Sequence, residues 1–76
     1  MAPEEVANRD DLVRFLREMS TAVESFENQD LAVFLEATSG WLQDMDGFFL
    51  NQGEPVPVQP DWSLLARVLR AATVYE

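Results

Sequence analysis

The chain has 76 residues, with fourteen carboxylates against five arginines, no lysine, histidine or cysteine, and a formal charge of −9. At this length one domain is the limit, and it buries roughly 60% of the surface its unfolded chain exposes. The missing residue types exclude a thiol nucleophile, an imidazole base, a disulfide framework and a thiolate or imidazole zinc site, while a pI near 4.1 argues against nucleic acid and anionic membrane surfaces, which both call for dense cations.

Residues 1–9 lack periodicity and read as a flexible tail. The first helix is predicted over 10–26, because Leu12, Phe15, Leu16, Met19, Ala22, Val23 and Phe26 recur at three- and four-residue steps and share one stripe. Asn8 or Asp10 can cap it, with Asp11 near the positive end of the helix dipole. Arg14 and Arg17 fall on the opposite face, where Arg14 is in reach of Asp10, Asp11 and Glu18.

Glu27-Asn28-Gln29-Asp30 breaks the pattern, and Asn28 is a candidate cap for a second helix over 29–50. Leu31, Leu35, Thr38, Leu42, Met45 and Phe49 follow alternating steps of four and three, with Phe34, Trp41 and Phe48 along one border. A stripe this wide is expected of a middle helix contacting both neighbours. Gly40 costs about 1 kcal/mol relative to alanine in a helix interior, so it marks a weak point in one helix or the close approach of another backbone.

Gly53 is a natural stop, and the prolines at 55, 57 and 60 stiffen the loop over 51–60 toward extended dihedrals. The third helix is predicted over 61–74, capped by Asp61, with Trp62, Leu65, Ala66, Leu69, Ala72 and Thr73 inward and Arg67 and Arg70 outward. Three amphipathic helices without a strand pattern imply a single all-α domain over 1–76, a small antiparallel three-helix bundle with a Pro-rich loop between the second and third helices.

The charge is unevenly placed. Nine carboxylates lie from Glu18 to Asp61, with no arginine between Arg17 and Arg67, whereas the two ends balance to zero. A field of one sign is either a solubilising surface or a face that steers a basic partner.

The string Phe26-Glu27-Asn28, Phe34-Leu35-Glu36-Ala37, Trp41-Leu42, Asp44-Met45-Asp46-Gly47-Phe48-Phe49, Asn51, Gly53, Pro60-Asp61-Trp62 and Ala72 to Tyr75-Glu76 resembles a family of short acidic bacterial proteins, a domain of unknown function. The resemblance runs from about Asp10 to Glu76 and rests on aromatic and turn positions. It implies a small, mostly helical bacterial protein with no assigned activity, and it carries over no catalytic or binding residue.

Catalytic chemistry finds little foothold. Aligning Gly47 with the glycine of a calcium-binding EF-hand loop leaves Leu42 and Gly53 at two essential ligand positions, and on a helix Asp44 and Asp46 diverge by about 160°. Serines at 20, 25, 39 and 63 have no histidine or lysine to activate them, and the three scattered glycines form no phosphate loop. The expectation is a protein without catalytic residues, metal or cofactor. Its most loaded features are the acidic middle and the aromatic row, which either packs into the core, as a small bundle needs, or leaves one edge, Trp41 or Phe48, partly exposed to anchor a partner.

The candidate partner-binding residues are therefore Glu36, Trp41, Asp44, Asp46, Phe48 and Glu54. The expected ligand is a basic protein, as for a small immunity-like inhibitor whose negative charge stands in for phosphate; the alternative is a structural homodimer or subunit of an assembly. No nucleic acid or membrane is expected. The acidic start, Met1-Ala2-Pro3-Glu4-Glu5, lacks a secretory apolar core, and with no cysteine a cytoplasmic location is expected.

Overall fold

The computed structural model describes residues 1–75; Glu76, counted above among the terminal acids, lies outside them. Three helices form, α1 (Arg9–Ser20), α2 (Leu31–Asn51) and α3 (Trp62–Ala72), with 3-10 turns at Pro3–Glu5 and Val23–Ser25. No strand occurs among the described residues. Each helix starts where a short polar side chain can accept an orphan backbone N–H: Asn8 from Asp11 at 2.8 Å, Asp30 from Val33 at 3.2 Å and Asp61 from Leu64 at 2.7 Å. A cap of this kind stabilises its helix by about 1 kcal/mol. Asn28, expected to cap α2, is displaced from that role by Asp30. α1 ends at Ser20 rather than Phe26, the chain continuing through the second 3-10 turn, yet Phe26 still packs against the core. α2 is continuous through Gly40.

The middle helix in space is α3, not α2 as its wide stripe suggested. α3 packs against α2, α1 and the Pro3–Glu5 turn, whereas α1 and α2 have little contact with each other. Phe49 near Leu64 and Tyr75 near Gly40 set α2 antiparallel to α3, while Met19 beside Thr73 sets α1 running with α3. The result is an up–down–up bundle flattened to 32 × 28 × 17 Å. Two clusters flank α3. Val6, Phe15, Met19 and Ala66 make one; Trp41, Phe49, Leu64 and Val68 make the other. Val68, which lies off the stripe that includes Ala66 and Leu69, is thus core. Trp62 and Leu65 from that stripe are exposed instead.

Contact with α2 is made by two rows at four-residue steps, Ala37, Trp41, Met45 and Phe49 on α2 and Leu64, Val68 and Ala72 on α3. Such rows interdigitate as ridges into grooves. Residues 1–9 are not a free tail. Val6 is 1% exposed inside the first cluster, and the Pro3–Glu5 turn lies on α3.

Asn28 closes the fold from the far end. Its side-chain amide donates to the carbonyls of Ala72 and Tyr75, both at 2.8 Å, and its backbone N–H donates to Thr73 O at 2.9 Å. The carbonyls at a helix C-terminus have no partner within the helix, so one asparagine satisfies the end of α3 and ties the α1–α2 connection to it. Replacing Asn28 by alanine is expected to lower unfolding free energy by about 2 kcal/mol, whereas Gln43→Ala on exposed α2 surface should stay within about 0.5 kcal/mol. Urea denaturation of the two variants checks this.

Candidate functional site

The six residues singled out by sequence do not converge on one surface. Five lie on α2 and Glu54 lies in the loop that follows. Helix geometry sets Glu36 about 80° from both Asp44 and Asp46, and Phe48 about 160° from Asp46. Glu36 and Asp46 are exposed, with no side-chain hydrogen bond or ion pair among the described residues.

Trp41 is not an exposed anchor. It is 6% exposed because it belongs to the ridge that packs on α3, with its ring centroid 5.4 Å from Phe48 and 6.3 Å from Phe49. Phe48 borders the same ridge and remains 38% exposed, so of the two aromatic candidates it alone offers a face to a partner. Glu54 adds nothing to the acidic field. Arg67 grips its two carboxylate oxygens at 3.2 and 3.3 Å, and the guanidinium stands 5.3 Å from the Phe49 centroid. Asp44 accepts the hydroxyl of Tyr75, whose ring lies over Gly40. A Cβ at Gly40 would meet that ring at 3.2 Å, so the close neighbour the glycine admits is a side chain.

A groove of about 600 Å³ runs between the Pro3–Glu5 turn, the second half of α2, and α3, with Trp41, Phe48, Gln52, Glu54, Arg67 and Arg70 among its lining. Arg70 rests 4.8 Å from the Phe15 centroid and has no carboxylate within ion-pair distance among the described residues. The groove can hold an apolar group against Phe48, and its lining carboxylates are Glu4 and the Arg67-paired Glu54. Among the described residues no three acids gather as metal ligands.

The acids of the middle stretch remain largely unbalanced. Glu18 pairs with the terminal amine and Glu54 with Arg67; the other seven of the nine have no cationic partner among the described residues. What the sequence did not reveal is an exposed leucine row, Leu31, Leu35 and Leu42, on the stripe assigned to the core. The signal available was length. α2 has 21 residues and α3 only 11, so α2 outruns its partner at Leu31 and Leu35, while Leu42 lies alongside α3 but turned from it.

Two groups are shifted. A hydrogen bond from Ala7 N–H, then Arg14, lowers the pKa of Asp11, so its contribution to stability is present above the usual carboxylate range and is lost as pH falls through the lowered value. The hydrogen bond to Asp44, then burial and the negative charge of Asp44, raise the pKa of Tyr75 above 10.0.

Fold and surface together define a small acidic helical bundle. The chain belongs to a family of unknown function (DUF7660), whose model matches residues 8–76, nearly its whole length. No curated protein and no solved structure matches it. No helix among the described residues is long and apolar enough to cross a membrane.

Because Tyr75 is the single tyrosine, alkaline titration of tyrosinate absorbance reads it directly. The expected midpoint lies above 10.0 and moves down in Asp44→Asn, and the stability this contact contributes is lost as pH rises through the raised value.

Proposed function

We propose that this protein is a non-enzymatic binding module that takes a basic protein partner on its acidic middle stretch. The observation that carries the reading is the set of seven carboxylates without a cationic partner among the described residues, concentrated in a stretch that contains no arginine. Glu24, Glu27, Glu36 and Asp46 are exposed and make no side-chain contact to a cation, so their charge is available. Fields of one sign raise association rates and select partners of opposite sign. Phe48 adds an aromatic contact on a different side of α2, so a partner reaching both must wrap the helix. An immunity-like inhibitor covering a basic active site is one form of this reading. A bacterial source and a cytoplasmic location are consistent with the composition. The absence of histidine, cysteine and lysine favours binding over catalysis.

Affinity capture with the intact chain tests it, comparing wild type with a Glu24→Gln, Glu27→Gln, Glu36→Gln, Asp46→Asn variant. Basic proteins should be retained by wild type at about 50 mM salt, and lost both at about 500 mM and with the variant. Capture that ignores salt and the substitutions overturns the reading.

A further inference from the structure

α2 carries two interleaved apolar rows, and the fold uses one of them. The row at four-residue steps, Ala37, Trp41, Met45 and Phe49, is packed on α3. The other, Leu31, Leu35, Thr38, Leu42 and Met45, alternates steps of four and three, which is the seam of a heptad repeat. Its leucines stand 71%, 57% and 45% exposed. At 1.5 Å per residue α2 spans about 31 Å and α3 about 16 Å, so the seam's first half runs where α3 no longer covers it. A row with a period of 3.5 stays in line only against a helix lying nearly parallel to it, so its complement is another helix.

We propose that the seam pairs with α2 of a second copy of this chain, antiparallel, about a two-fold axis beside Ala37. Three observations select that occupant. The seam is self-complementary: the axis sets Leu31 against Leu42 of the second copy and Leu35 against Thr38 of the second copy, the isologous pattern a two-fold dimer requires. Its flank away from α3 is formed by Ala32 and Ser39, small and uncharged, which let two backbones approach. Glu36 sits about 100° or more round the helix from the leucines, and Asp46 lies past the paired stretch. A cationic helix would therefore find no acid opposite it here, while a second copy meets no like charge inside the contact. Antiparallel packing also opposes the two helix dipoles.

The third observation is area. The chain exposes 5284 Å², against about 4,700 Å² for a compact monomer of its mass. The excess, about 600 Å², belongs to the whole flattened molecule, and the three exposed leucines of α2 contribute to it; a standard interface takes roughly 800 Å² from each partner. This dimer is accordingly of modest affinity. It does not depend on the basic-partner reading, which rests on charge outside the seam.

Sedimentation equilibrium of the intact chain decides it. The mass should rise from 8.6 kDa toward twice that value between about 10 µM and about 1 mM. A Leu35→Glu, Leu42→Glu chain, altered only at exposed positions, should keep its helical circular dichroism and stay monomeric. Thr38→Leu adds apolar surface to the seam and should move the transition to severalfold lower concentration. Because each copy carries −9, raising salt from about 50 to about 500 mM should strengthen the association. A wild-type chain still monomeric at about 1 mM, a glutamate variant that dimerises like wild type, or a Thr38→Leu chain with unchanged or weaker association each overturns the proposal.

Discussion

Everything in this fold is hung on α3. Its eleven residues are the shared partner of α1, α2 and the amino-terminal turn, and its two sides carry different chemistry. Ala66 and Thr73, small or short, let Phe15 and Met19 of α1 approach closely, while Leu64 and Val68 fill the space beneath Trp41 and Phe49 of α2. A helix this short is marginal alone in water. It is held by burial on both sides and by bonds at its two ends, Asp61 at the start and Asn28 at the finish. Leucine or phenylalanine at Ala66 would overfill a position with no exposed surface, so the helix has little freedom to vary where it is thinnest.

The tie at the carboxyl end has a second part. Tyr75 lies across Gly40, bonds Asp44 and returns its own carbonyl to Asn28. Gly40 thus weakens α2 by propensity while admitting the ring that joins α2 to the end of α3. The opposing effects meet at one residue, and the helix stays continuous there. On the other side of the molecule Arg67 plays a comparable part, joining Glu54 of the proline loop to the Phe49 face. Val56 packs into the same cluster, so the loop is held by an ion pair and an apolar contact as well as by its prolines.

Local signals were legible in the sequence and global ones were not. Three helices, the cap Asp61, and the inward positions Phe15, Met19 and Ala66 follow from residue type and period alone, while the choice of Asn8 over Asp10 as the first cap needs the backbone. The order of helices in space does not, because both rows on α2 are apolar and only packing selects between them. The heptad row is the longer and shares Met45 and Phe49 with the other, yet the row through Trp41 is the one packed, since it meets the four-step row of α3. That choice buried Trp41 and left exposed Leu35 and Leu42, two positions expected on the inward stripe. Val6 was missed because a lone valine in a short acidic segment has no period to betray it. Of the candidate site, the charges of Glu36 and Asp46 could be read directly, whereas the neutralisation of Glu54 depends on a contact across thirteen residues.

The two surfaces of α2 are linked through charge even though they are separate in space. Carboxylates without a cationic partner among the described residues oppose a second copy and favour a cation, so ionic strength would act on the two proposed associations with opposite sign. A basic protein bound to the acidic stretch would remove part of the repulsion between copies without occupying the leucine seam. Binding of the partner and pairing of copies would then favour each other, and thermodynamic linkage makes that preference mutual. The formal charge of −9 therefore bears on more than solubility. In the proposed dimer it would set the concentration at which the exposed leucine row of α2 pairs with a second copy.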